Sequence, residues 1–155
     1  MTVRAVLRRL RTAPRGDEGS ALVEFVFLAV LMLVPIVYLI VALGRIQAGA
    51  LAVEQGTREA GRAFVTAPDD TSGTARARAA AGLAYADQGF AAPAPRQLRV
   101  ECAATPCLSA NGRVTVHGEL TVVLPGVPRF LAKVIPIQVT VIAAHVATVD
   151  EFSVR

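Results

Sequence analysis

The stretch FVFLAVLMLVPIVYLIVALG, residues 25–44, contains twenty consecutive residues without a single charge. A helix rises 1.5 Å per residue, so this stretch covers about 30 Å, the thickness of the hydrocarbon core of a bilayer. Pro35 lies inside the stretch, and membrane helices tolerate proline because neighbouring groups satisfy the freed carbonyl. The sequence therefore predicts one transmembrane helix near the N-terminus.

Positive charge is concentrated ahead of this stretch. The chain of 155 residues carries a net charge of +4; five arginines against Asp17 and Glu18 give +3 to the first 19 residues, which leaves +1 for the rest. A basic segment before the apolar run favours a cytoplasmic N-terminus, with the remainder outside the cytoplasm. Because the remainder offers no basic stripe with interleaved aromatic residues, we predict no nucleic-acid binding.

The helical pattern continues beyond the apolar run. Residues 45–64, RIQAGALAVEQGTREAGRAF, contain no proline, and small residues recur every four positions. Such a stripe lies on one face of a helix and lets helices approach closely. One long helix is expected from about Ser20 to about Val65, with an ion pair between Glu54 and Arg58. The predicted helix-packing residues are Ala48, Ala52, Gly56 and Ala60.

The C-terminal part predicts an α+β fold. A break at residues 68–72 precedes a second, alanine-rich helix at 74–90 and a proline-rich linker. Apolar and polar residues then alternate in three strands at 97–102, 113–124 and 136–149, which predict a small antiparallel sheet. In the second strand the apolar face holds Val114, Val116, Leu120, Val122 and Leu124. The expected organisation is a basic leader (1–19), a transmembrane helix (20–44), a helix extension (45–65) and an extracytoplasmic α+β domain (66–155).

Glu24 lies at the edge of the apolar run, where a charged carboxylate is energetically unfavourable and its presence requires an explanation. A charge in a membrane segment costs roughly 2.5 to 3.5 kcal/mol at the helix centre and less near the interface. One explanation is a position at the headgroup level, where a helix N-terminus favours negative charge. The alternative comes from spacing, because Glu24 is the fifth residue after Gly19, which ends an arginine-rich leader.

An arginine-rich leader, a glycine and an apolar helix with glutamate at the fifth place resemble the processing site of type IV prepilins. Residues 15–64 are more specifically similar to TadE-type pseudopilins of the tight-adherence (Tad/Flp) pilus, in the start from Gly19 to Phe25, in Gly44-Arg45 and in Val53 to Ala63. Gly56 and the order Ala60-Gly61 depart slightly from that family's pattern. The resemblance covers about a third of the chain, and beyond it only the architecture agrees.

The resemblance implies a pilin-like fold and a structural rather than enzymatic role. A prepilin peptidase would cut after Gly19, so that Ser20 becomes the first residue and its new amine pairs with Glu24 of a neighbouring subunit. The protein would be a minor pilin in the plasma membrane of a bacterial cell, single-pass, with its C-terminal domain at the cell surface. Its partners would be the membrane, the peptidase, other pilus subunits and the assembly platform, in a hetero-oligomer.

The sequence also allows other interpretations. Residues 47–50 contain an A-x-A pattern of the kind signal peptidase cuts, and cleavage there would release a secreted protein beginning at Leu51. An uncleaved, single-span anchored domain that binds an extracellular ligand is the second alternative. An enzyme is the least favoured, because no nucleophile, acid–base pair or phosphate loop is present at a spacing that indicates catalysis.

Cys102 and Cys107 are the only cysteines of the chain. They fall in the part predicted to lie outside the cytoplasm, where disulfides persist, so a disulfide is the favoured interpretation. A zinc site would need two further ligands, and only His117 and His145 are available. We therefore expect no metal and no cofactor.

Overall fold

The computed structural model describes residues 18–126 and 137–151, with side chains from residue 21 onwards. Most of the basic leader and the connection at 127–136 lie outside the described residues. The elements follow in the order α1 (Glu18–Val65), α2 (Asp70–Asp87), β1 (Leu98–Cys102), β2 (Arg113–Val123) and β3 (Gln138–Thr148). The predicted α+β architecture, with a long N-terminal helix, a second helix and three strands, is confirmed.

The chain divides into two compact units, Met1–Leu39 and Ile40–Arg155. In the first unit the described residues belong to α1, and their large apolar side chains are exposed. The second unit contains the rest of α1, together with α2 and the sheet. The predicted helix extension at 45–65 therefore folds within the same unit as the predicted α+β domain.

The sheet has the strand order β1-β2-β3, with both pairs antiparallel. Val100 pairs with Val116, and Val116 pairs with His145, so the two ladders meet on the central strand. Side chains of β2 alternate between a buried and a half-exposed face, as strand geometry requires. The buried face holds Val114, Val116, Gly118, Leu120 and Val122.

This pattern confirms four of the five residues predicted for the apolar face of the second strand. Gly118 occupies the middle of that face, where it brings the strand's backbone close to α1. Leu124, the fifth predicted residue, follows the end of β2 and is half-buried. The strand ends one residue earlier than its apolar pattern suggested.

The second half of α1 and the whole of α2 form a layer on the buried face of the sheet. A Cβ added at Gly61 would lie 3.2 Å from Ala147 and 3.7 Å from Val116, so α1 passes directly over β2 and β3. Phe64 of the same helix contacts Gly73 of α2. The main cluster joins both helices to the sheet through Ala60, Phe64, Ala77, Ala81, Leu98, Leu108, Val114, Val116 and Val149.

α2 begins at Asp70, four residues before the predicted start. Asp69 caps it: one carboxylate oxygen accepts from the Ser72 backbone amide at 2.8 Å, and the other accepts from the Ser72 hydroxyl at 2.7 Å. These hydrogen bonds hold the pKa of Asp69 below its usual value. The Asp-Asp-Thr-Ser run, interpreted from sequence as a break, is therefore the capped first turn of the helix.

Candidate functional site

The residues of the predicted processing site lie at the beginning of α1. Gly19 and Ser20 have helical backbone, and the side chain of Ser20 lies outside the described residues. Glu24 follows four residues after Ser20, about 6 Å further along the helix. Its side chain is exposed, and among the described residues no hydrogen-bond or ion-pair partner contacts it.

Exposed apolar side chains continue from Glu24 along the first half of α1. The most apolar window of this helix is only 6% buried, and it is long and apolar enough to cross a membrane. Phe25, Met32 and Ile40 each expose about two thirds of their surface, at 69%, 65% and 65%. Side chains of this kind need an apolar environment that the described part of the chain does not provide.

The predicted small-residue stripe lies in the second half of the same helix, and its neighbours belong to the same chain. Ala52 and Ala60 are fully buried, Gly56 is buried, and Ala48 is half-buried. A Cβ added at Gly56 would come within 2.5 Å of the Tyr85 ring of α2. The stripe therefore admits α2 and β2, a use that its spacing alone did not distinguish from contact with another subunit.

Tyr85 is the centre of this close packing. Its side chain is fully buried between α1 and the sheet, and its hydroxyl lies 3.3 Å from the position of a Cβ at Gly118. Burial raises the pKa of Tyr85 to about 12. Within the described residues the hydroxyl has no hydrogen-bond partner. Glycines on both sides, Gly56 and Gly118, leave the room that this ring occupies.

Arg45, the first charged residue after the apolar run, makes two contacts that the sequence did not reveal. Its guanidinium lies over the Phe90 ring, 4.4 Å from the centroid, and donates to the Gly89 carbonyl at 3.5 Å. Both partners are about 45 residues away in the chain. No local pattern could have predicted the pair, because it depends on where the chain returns after α2.

Cys102 and Cys107 are joined by a disulfide that closes the loop after β1. Their Cα atoms are 5.2 Å apart, a usual separation for bridged cysteines.

The predicted ion pair is confirmed, with Arg58 Nη2 2.5 Å from Glu54 Oε1 on the exposed face of α1.

His117 lies on the outer face of the sheet, and its Nε2 is 3.3 Å from Glu101 Oε2. Arg99 and Glu119 line the same shallow cleft. His145 lies on the opposite face, beside Gly61. Among residues 18–126 and 137–151, no group of three His, Cys, Asp or Glu side chains gathers to hold a metal ion.

The fold and these positions define an α+β protein with one N-terminal helix compatible with a single-pass membrane anchor. Residues 19–62 match the family model described as TadE-like protein. The match confirms the resemblance found in the sequence, over the segment that runs from the predicted processing site through the exposed and buried halves of α1. No curated protein and no solved structure matches the chain.

Proposed function

We propose that this protein is a minor pilin or pseudopilin of a Tad-type pilus or a related secretion apparatus. In this role it is a structural component, anchored by α1 in the plasma membrane, with Ile40–Arg155 largely outside the cytoplasm. The observation that carries the proposal is the family match, which starts at Gly19 and spans both halves of the helix. TadE-like proteins are structural components of pilus assembly, so partners of the same machinery follow from it.

The exposed half of α1 supports a role in assembly. A helix whose bulky apolar side chains lie open must contact lipid or the helices of other subunits. In a membrane both are available, and transfer from one to the other requires no refolding of the second unit. The expected partners are other pilus subunits and the assembly platform, in a hetero-oligomer.

Processing after Gly19 gives Glu24 its proposed purpose. Removal of the leader leaves a positive amine at Ser20 close to lipid, where an unpaired charge is costly. The exposed Glu24 carboxylate of an adjacent helix neutralises it, and two charges that are expensive separately become less so together. This pair sets the axial register between neighbouring subunits.

The mature N-terminus tests the processing step. The protein is extracted from membranes of cells with an active prepilin peptidase and examined by intact mass and N-terminal sequencing. We expect a chain that begins at Ser20. A chain that begins at Met1 would instead indicate an uncleaved anchored binding domain, and one that begins at Leu51 a secreted protein. Cleavage before Leu51 would also remove Gly49, which contacts Val122 of the sheet.

The register role is tested by Glu24→Leu. We expect normal membrane insertion and cleavage but loss of incorporation into the assembled pilus or apparatus, measured by co-purification with its other subunits. Glu18→Ala is the matched control, because this second acidic residue is removed with the leader and its loss should leave incorporation unchanged. Normal incorporation of Glu24→Leu would contradict the register role while leaving the processing result intact.

A further inference from the structure

One end of the sheet lies beside the place where α1 leaves its apolar run. A Cβ added at Gly49 would clash with the side chain of Val122 and lie 3.6 Å from the Phe90 ring, and Arg45 lies over the same ring. These contacts belong to the compact unit Ile40–Arg155, which also contains the last apolar turn of the helix. The end of β2 is therefore level with the first two turns that follow the apolar run.

Distances along α1 match distances along β2. α1 passes Val122 at Gly49 and Val116 at Gly61, so helix and strand run side by side in opposite directions. Twelve helical residues rise about 18 Å and six strand residues about 20 Å. Because these lengths are similar, the axes of α1 and β2 are nearly aligned. Val123 and Leu124 follow Val122 in the chain and therefore lie closer to Arg45 along the axis of α1.

The lipid headgroup layer covers the same interval. With the apolar run ending at Gly44, Gly49 lies roughly 7 Å beyond the hydrocarbon boundary. Each headgroup layer is roughly 5 to 8 Å thick. With the axis of α1 along the membrane normal, the end of the sheet would fall within the headgroup layer.

The side chains at the two ends of the sheet differ in the way this position requires. At the end beside Arg45, Val123 is 56% exposed and Ile137 is 37% exposed, and Phe90 and Leu124 are half-buried. The opposite end carries polar groups, with Asn111, Arg113 and Asp150 exposed. This end of the sheet thus combines exposed apolar side chains with an arginine and an aromatic ring at a similar level along α1, and rings and cations lie at the headgroup level of membranes.

We propose that Phe90, Val123, Leu124 and Ile137, together with Arg45, form a membrane-contact end that rests in the headgroup layer of the bilayer crossed by α1. The occupant of this surface is the lipid itself, with the Arg45 guanidinium near phosphate and the apolar side chains towards the acyl boundary. The proposal rests on the membrane anchoring proposed above. Its consequence is that the second unit is held at a fixed height on the membrane.

The test uses single-tryptophan variants, because the natural chain contains no tryptophan. Full-length Val123→Trp is reconstituted in vesicles of phosphatidylcholine and phosphatidylglycerol, with and without bromine on the upper acyl carbons. We expect a clear loss of its emission in the brominated lipid, because the probe would lie near the acyl boundary. Ile137→Trp provides a second probe if Val123→Trp does not fold.

Val146→Trp is the matched control. Val146 is also an exposed valine on the outer face of the sheet, but it lies beside the level of Gly61, roughly 24 Å above Arg45. Its emission should not change with lipid bromination. Equal, negligible quenching at positions 123 and 146 would overturn the membrane-contact end.

Leu33→Trp distinguishes the absence of a membrane-contact end from the absence of membrane insertion by α1. Leu33 lies in the middle of the apolar run and should be quenched by lipids brominated near the acyl chain ends. Quenching at position 33 without quenching at 123 would mean that α1 is inserted and the second unit stands clear of the membrane. Absence of quenching at position 33 would overturn the anchor and the membrane-contact end together.

Discussion

In the first half of α1 large apolar side chains are exposed, whereas in the second half small residues are buried. The side chains of Phe25, Met32 and Ile40 are not buried by any other described part of the chain. Ala52, Gly56 and Ala60 lie beneath α2 and β2. Both halves are apolar, but side-chain size differs: bulky residues suit fluid lipid, while small ones admit a ring or a strand backbone at close range.

An arginine introduced into each half of α1 should have the largest effect, and a different one in each half. Val53→Arg places a charge in a fully buried position beside Gly118, which should cost about 4 kcal/mol or more and unfold the second unit. Leu33→Arg places it in the apolar run, where insertion is weakened by roughly 2.5 to 3.5 kcal/mol. The measurements are thermal unfolding in detergent and the fraction retained in membranes after an alkaline carbonate wash.

The two variants should fail in different assays. Val53→Arg should remain in the membrane fraction, and Leu33→Arg should keep the unfolding midpoint of the second unit. A lower midpoint in Leu33→Arg would show that the first half of α1 supports the fold of the second unit, so that the two halves do not act independently.

The buried half also predicts an alkaline response centred on Tyr85. Below pH 10 the hydroxyl is protonated in both the folded and the unfolded state. Above pH 10 the unfolded state ionises first, because burial raises the pKa of the folded state to about 12. The free energy of unfolding should therefore fall by about 2 kcal/mol between pH 10 and pH 12.

Tyr85→Phe should remove this decline. At neutral pH it should leave stability unchanged or raise it by about 1 kcal/mol, because the hydroxyl is buried without a partner in the described residues. Tyr38→Phe, at the only other tyrosine, is the matched control and should keep the alkaline decline. Denaturant unfolding measured by circular dichroism from pH 7 to pH 12 decides between these outcomes.

The sequence predicts the elements of this fold well because their signals are local. The uncharged run predicts the exposed first half of α1, and alternation in residues 113–123 predicts the buried face of β2. The start of α2 was predicted too late, because Asp69 and Ser72 read equally well as a turn or as a helix cap. The neighbours of the small stripe and the Arg45–Phe90 contact depend on how distant segments come together, which periodicity does not encode.

Two glycines of α1 differ in the space around them. Gly44 has no neighbouring atom within 4 Å of an added Cβ, whereas Gly56 has the Tyr85 ring at 2.5 and 2.9 Å. Gly44→Ala should leave stability unchanged or raise it by about 0.5 to 1 kcal/mol, since alanine costs less backbone entropy in a helix. Gly56→Ala should gain the same backbone-entropy contribution to stability. It also forces the buried Tyr85 ring to move, which costs about 1 to 3 kcal/mol.

The net effect at Gly56 should therefore be a loss of about 1 kcal/mol, measured as a lower unfolding midpoint in detergent. A double-mutant cycle with Tyr85→Leu assigns the loss to the ring: once the ring is absent, Gly56→Ala should behave like Gly44→Ala. If Gly56→Ala were as harmless as Gly44→Ala with Tyr85 in place, the ring would not be held against α1. The small residues of the second half would then remain available to a neighbouring helix, and the contrast between the two halves would lie in composition alone.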